Sequence, residues 1–289
     1  MNGRPGAPLV SIVTPVYNGM PFVAELIESV LEQDYPNIEH IVIDDGSTDD
    51  GATVRALQSY PGLRWWSRDN RGQYETLNEG LAASTGDIVT VISADDRYAS
   101  PDAVGAAVDY LLAHAEYDCV FGRVLDIAED GEVLDPQTRP AGRWVASLLG
   151  VYLFIPHCGL FLRREVLGSA DLGFDPSLSY AGDWEWMLRL KRSGARFGYL
   201  DKALACYRTH AAQTVHTAGS PSLHMENRRV CRMHGTSYVA HVAIERSLTV
   251  RSVVLKGVSL LRREGFAASL RACREWVARR TARRRSGRL

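Results

Sequence analysis

Along roughly the first 125 residues, short apolar runs alternate with stretches whose apolar positions return at helical spacing. Residues 9–14 form an apolar run of strand length. Val23, Leu26, Ile27, Val30 and Leu31 then fall at i, i+3, i+4, i+7 and i+8, one stripe of an amphipathic helix. The alternation continues with a strand over 38–43, a helix over 53–58, an extended segment over 63–67 and a helix over 74–83. A strand over 88–92, a helix over 102–114 and a strand near 119–124 follow. Such an order predicts a doubly wound α/β domain with a mostly parallel sheet between helices, whose ligands sit at the carboxyl ends of the strands. After Asp126 the pattern is mixed. The Asp-Gly pair in AEDGEV, from Ala128, predicts a hairpin, and strands over 158–162 and 196–200 flank a helix over 182–193. Beyond Ser220 strand signals fade and the pattern is helical. The expected organisation is therefore an α/β domain over 1–219 and a helical region with a basic tail over 220–289.

Two stretches bear on compartment. Residues 144–162 carry no formally charged side chain and are long enough to span a bilayer. Pro156, His157, two glycines and a serine interrupt them, which predicts a buried helix followed by a buried strand. The N-terminus has no apolar core of signal-peptide length, so the expected location is the cytoplasm. Five scattered cysteines without a CxxC pair read as reduced thiols. A soft-metal site built from Cys206, His210, His157 and Cys158 would need two distant segments to converge.

Charge changes the picture at one end. The formal net charge of -1 conceals +10 from Arg251 onward, which leaves about -11 on the rest. The last segment, RRTARRRSGRL from Arg279, reads either as a solvated terminus or as a peripheral contact with anionic lipid at the inner face of the membrane. Nucleic acid is not an expected partner, because aromatic residues are not interleaved with the basic ones.

The remaining acidity is concentrated where the fold places a ligand. The strand over 38–43 runs into DDGSTDD, from Asp44, and the strand over 88–92 into SADD, from Ser93. Ser47, Thr48 and Asp49 suit a helix N-cap, yet a cap does not need paired carboxylates before the turn. Without a GxGxxG or Walker loop, carboxylates at strand ends point to a hard divalent cation shared with diphosphate oxygens.

Several ordered motifs over residues 8–215 resemble the GT-A glycosyltransferases of family 2, which use nucleotide-sugar donors. They are VSIVTPVYNG from Val10, DDGSTDD from Asp44, NRGQYETLNEGLAASTGDIV from Asn70, SADD from Ser93 and GDWEW from Gly182. The resemblance implies a GT-A, Rossmann-like fold and an inverting transfer from a nucleoside-diphosphate sugar, UDP-sugar favoured. The acceptor would be a carbohydrate or lipid-linked hydroxyl in polysaccharide, glycolipid or other cell-envelope glycoconjugate synthesis. It further implies that Thr14, Pro15 and Tyr17 line the nucleotide pocket and that Asp45 accepts a hydrogen bond from a uracil-like base. Arg71 and Gln73 would touch the diphosphate or nucleotide, and Asp95 would sit against the ribose or metal shell. Asp96 would coordinate Mg²⁺ or Mn²⁺, with His210 closing over the diphosphate and completing the metal site. Asp183 is the implied general base, with Glu185 the second candidate; its plainer reading is a helix-terminal acid favoured by the macrodipole. His157 would lie near donor sugar or acceptor, or be a core histidine. Trp184 would stack on a sugar or pack in the core, where its helical spacing with Met187 and Leu188 points.

The chain departs from processive members in lacking a QxxRW motif and following membrane helices, which favours one sugar per encounter. Two rivals remain at this point: an inactive nucleotide-sugar-binding relative or assembly partner, and a nucleotidyltransferase. The sequence leaves the oligomeric state open.

Overall fold

The computed structural model describes residues 6–135, 155–168, 173–211 and 221–247, with 142, 146, 148–150 and 213 between them. The chain divides into two compact units, 1–216 and 217–289. The first holds one nine-stranded sheet whose strands lie side by side in the order 64–67, 38–44, 10–16, 88–91, 160–163, 119–127, 197–208 and 97–98, with 133–135 paired to 119–127.

Its opening half follows from the apolar alternation. β1 (Val10–Val16), β2 (Ile38–Asp44), β3 (Arg64–Ser67) and β4 (Ile88–Val91) pair in parallel. β1 and β4 are buried almost throughout, as strands covered by helices on both faces must be. The covering helices are α1 (Val23–Leu31), α2 (Ala52–Gln58), α3 (Gln73–Ala83) and α4 (Ala103–Ala113). Val23, Leu26, Ile27 and Val30 of α1 face the core, while Leu31, at the edge of the predicted stripe, is 67% exposed. β1 lies between β2 and β4, so the strand order reverses about it, and the carboxyl ends of these strands are where an α/β sheet places its ligand crevice.

The second half is mixed rather than mostly parallel. β8 (Leu160–Arg163) lies antiparallel to both β4 and β6 (Cys119–Ile127), and so reverses the sheet's direction at its middle. β6 pairs in parallel with β9 (Phe197–Arg208), and β5 (Arg97–Tyr98) adds antiparallel to β9. The Asp-Gly turn joins β6 to β7 (Val133–Asp135) as a hairpin. α5 (Arg164–Gly168) and α6 (Gly182–Arg192) follow β8.

Within 144–162, where a buried helix followed by a buried strand is expected, Ala146 is helical, Leu148–Gly150 and His157–Gly159 are short 3-10 turns and β8 follows; 145, 147 and 151–154 lie outside the described residues. Trp144 lies outside the described residues. Among the described residues no helix is long and apolar enough to cross a membrane.

The second unit contains α7 (Pro221–Met233) and a helical run over 238–247. The basic tail lies outside the described residues.

Candidate active site

β2 delivers two carboxylates to the crevice, and both hold loops. Asp44, 1% exposed, accepts from the Ser47 amide at 3.2 Å and from the Ser47 and Ser67 hydroxyls at 2.5 Å each. Gly46 must stay side-chain-free here: its φ is +71°, and a Cβ would lie 2.7 Å from the Asn70 nitrogen. Asp45, also buried, accepts the Arg71 and Gly72 amides at 2.8 and 2.9 Å and ion-pairs with Arg68. Arg68 is itself held by Glu79 at 2.7 Å and by Thr76 at 2.8 Å. Asp45 therefore organises the loop that carries Arg71 and Gln73, whose side chains are exposed at the mouth. Tyr17 is 51% exposed beside this loop's partner segment, its hydroxyl 3.4 Å from Thr48. Pro15 is half-buried in β1. Thr14 is fully buried, and its hydroxyl lies 3.0 Å from His40 Nε2, so its side chain is spent inside the sheet. Burial pushes His40 down to about 3, so the imidazole is neutral there.

β4 ends in the second acidic group. Asp96, 1% exposed, accepts the Arg208 amide at 3.0 Å, and Asp95 Oδ2 lies 3.0 Å from His210 Nε2. The structure thus joins the SADD turn to the end of β9. Arg208, which the sequence did not single out, is the clasp. It is 1% exposed, donates from Nε to the Asp95 carbonyl at 2.9 Å and from Nη1 to the Glu129 carbonyl at 2.8 Å, and pairs with Glu25 of α1. Its guanidinium carbon stands 4.8 Å from the Phe22 ring centre, and Phe22 meets the His210 ring at the same separation.

α6 and the turn before β8 supply the third group. Asp183, on the first turn of α6, accepts the Trp184 amide through Oδ1 at 2.8 Å and presents Oδ2 3.7 Å from His157 Nδ1. His157 Nε2 lies 3.0 Å from the Ser93 hydroxyl. The imidazole therefore stands between the SADD turn and Asp183. Burial works to lower the His157 pKa, but the Asp183 carboxylate, with Asp96 and Asp95 behind it, outweighs burial and the net direction is upward.

Besides Thr14, two expected residues do not turn their side chains to this crevice. Trp184 is 2% exposed and donates its indole N–H to the Leu149 carbonyl at 2.9 Å, so it has no free face for a sugar. Glu185 is equally buried and holds Arg189 through both oxygens at 2.8 and 2.9 Å, which removes it as a second base. Trp186 stacks on Phe174, with ring centres 4.4 Å apart. α6 is buried from Trp184 to Leu188, and of the two acids on its first turn Asp183 is the partly exposed one.

Hard carboxylates at Asp95 and Asp96 suit Mg²⁺ or Mn²⁺, and His210 stands at the same turn. Among the described residues no group of three or more His, Cys, Asp or Glu is gathered as a complete shell. That fits a cation bound by one or two carboxylates whose other positions are taken by substrate phosphate and water. Cys158 and Cys206 are buried thiols.

The profile described as glycosyl transferase family 2 matches residues 11–168. An uncharacterized glycosyltransferase of Rickettsia typhi is 31% identical over 219 residues, which cover 73% of this chain and 67% of the relative. One of Mycobacterium tuberculosis is 31% identical over 186 residues, covering 63% and 69%. Among solved structures, S. aureus TarS 1–349 in complex with UDP-GlcNAc superposes with a TM-score of 0.63 at 21% identity, over 78% of this chain and 65% of that one. The chain thus spans just under two thirds of that structure. The mannosyltransferase PcManGT from Pyrobaculum calidifontis, in complex with GDP-Man and Mn²⁺, gives a TM-score of 0.57 at 20% identity, over 94% and 80%. Likeness at these identities is one of fold.

Proposed function

The chain belongs to glycosyl transferase family 2, and from that premise we propose that it moves one glycosyl unit from a UDP-sugar to an acceptor hydroxyl by a single, inverting displacement. The observation that carries this reading is the place of His157 between Asp183, 3.7 Å from its Nδ1, and the Ser93 hydroxyl of the SADD turn, 3.0 Å from its Nε2. A carboxylate for proton removal thereby stands beside carboxylates for a diphosphate-bound cation.

The donor half rests on Asp45. A carboxylate offers about four acceptor directions; Arg68, Arg71 and Gly72 take three, which leaves one on Oδ2 for a base N–H. A uracil imide meets that requirement, and TarS, which shares the fold, has been crystallised with UDP-GlcNAc. Arg71 and Gln73, at the start of α3, are set to meet the diphosphate. Asp96, Asp95 and His210 would hold Mg²⁺ or Mn²⁺, which when bound would neutralise charge on the departing diphosphate. Asp183 takes the acceptor hydroxyl's proton on its second oxygen, and His157 holds that oxygen toward the opening. The acceptor is a carbohydrate or lipid-linked hydroxyl of the cell envelope, and contact of the basic terminus with anionic lipid would bring the enzyme to it.

Asp183→Asn tests the base. The variant is expected to bind UDP with Mn²⁺ as the wild type does in calorimetry, while UDP release from the donor falls by about 10²-fold or more. Asp96→Ala is expected to lose the metal-dependent part of UDP binding instead. Near wild-type turnover in Asp183→Asn would overturn the assignment.

A further inference from the structure

The donor loop and the base are joined by a short physical path. Asp45 grips the Arg71 and Gly72 amides, and Gly72, at φ +92°, turns the chain into α3. Tyr74 is on the first turn of that helix and is 6% exposed. Its hydroxyl oxygen accepts the Gly182 amide at 3.0 Å, one residue before Asp183. That amide belongs to the first turn of α6, which has no partner for it inside the helix. The contact is tight as well as polar. A Cβ on Gly182 would lie 2.5 Å from the Tyr74 ring, so only glycine lets the ring sit against the helix start.

The same face of α3 makes a second attachment. Asn78 donates to the Phe174 carbonyl at 2.9 Å and accepts the Phe174 amide at 2.6 Å. Phe174 stacks between Tyr74, with centres 5.5 Å apart, and Trp186 of α6 at 4.4 Å. α3 is thus bonded to the approach to α6 and to its start, and its own start is the loop that Asp45 secures.

We propose that Tyr74 is a positioning residue that transmits occupancy of the donor loop to the catalytic base. Donor phosphates that draw in Arg71 and Gln73 fix the first turn of α3, and the Tyr74 hydroxyl then fixes the start of α6 with Asp183 aimed at the acceptor. This rests on the proposed donor site and base, and it adds that the Tyr74 phenol oxygen is the link that carries the coupling to the start of α6, beside the packing through Phe174.

Tyr74→Phe keeps the ring, the stack and the packing against Gly182, and removes only the oxygen. Hydrogen exchange by mass spectrometry, with and without UDP and Mn²⁺, reads the coupling without needing the acceptor. In the wild type, UDP with Mn²⁺ is expected to slow exchange both at 70–78 and at 180–186. In Tyr74→Phe the slowing at 70–78 persists and that at 180–186 is lost. In steady-state UDP release from UDP-GlcNAc, the variant is expected to lose about tenfold in kcat with KM for donor unchanged, the size of one net hydrogen bond. A general loss of packing would instead lower the unfolding midpoint and disturb both regions. Equal slowing at 180–186 in both proteins, or a KM change without a kcat change, overturns the inference while leaving the donor site intact. No slowing anywhere in the wild type overturns the donor reading itself, and the inference with it.

Discussion

At the scale of single residues, the site is assembled by side chains whose partners are far away in sequence. Arg208 is the clearest case, since it reaches Glu25 across 183 positions and the Asp95 carbonyl across 113. Its burial means that the charge is tolerated only because acceptors surround it. Arg208→Met would take one donor from the Glu25 carboxylate, which keeps Arg97 at 2.9 Å, and would leave the Asp95 and Glu129 carbonyls without theirs. Removing one partner of a buried pair costs on the order of 3–5 kcal/mol. Glu25 is 43% exposed and keeps water, so the low end, about 3 kcal/mol, is expected in urea unfolding. Because the Arg208 backbone also fixes Asp96, Mn²⁺ binding measured by calorimetry should weaken several-fold. Arg208→Lys, with one point charge in place of a five-donor fork, should fall between. Unchanged stability in Arg208→Met would mean that the clasp does not restrain the SADD turn.

At the scale of elements, close approach is written in glycine. A Cβ at Gly80 of α3 would meet Val13 Cγ1 of β1 at 2.3 Å. β1 is hydrogen-bonded on both sides and cannot move aside, so α3 or the Val13 rotamer must give. Gly80→Ala gains about 1 kcal/mol of helix propensity but overpacks at a cost of about 1–3 kcal/mol. A net loss of about 1 kcal/mol is expected in denaturant midpoint, with lower activity because α3 carries the donor loop; a gain in stability would show that the interface has slack. The elements that could be read from the sequence are those governed by local periodicity. β1, β2 and β4 are apolar runs, and α1 and α3 are stripes, so each declares itself within a few residues. The two-residue β5 carries no such pattern and exists because β9 offers it an edge. β9 runs on to Arg208, well past the expected end at residue 200, because its later residues keep pairing with β6 and β5. The motif positions at strand ends were legible for the same reason as the strands. The core place of Trp184 was legible in its helical spacing with Met187 and Leu188, whereas that of Glu185 was not, because spacing alone does not reveal that its carboxylate is buried and spent on Arg189 one turn on.

At the scale of the whole molecule, the question is whether cation and nucleotide bind as one. The sequence outside its basic terminal stretch carries about -11, and Asp45, Asp95 and Asp96 follow the carboxyl ends of β2 and β4, with Asp183 on the first turn of α6. Bringing a diphosphate to such a surface is opposed by like charge unless a cation is shared between them. The two ligands should therefore be linked, each raising the other's affinity by the same factor. Thermal unfolding separates linked from independent binding. A ligand pair at about 100 times its dissociation constant stabilises the native state by about 2.7 kcal/mol. For a unit of 216 residues that corresponds to about 5–10 °C. UDP with Mn²⁺ is expected to give a shift of this size, larger than the sum of the shifts with UDP alone and Mn²⁺ alone, and EDTA should return it to that of UDP alone. Additive shifts would mean that the carboxylates and the diphosphate do not share the ion. An equal shift with GDP in place of UDP would move the base assignment away from the single open acceptor on Asp45, because a pocket indifferent to the base cannot be reading its N–H pattern.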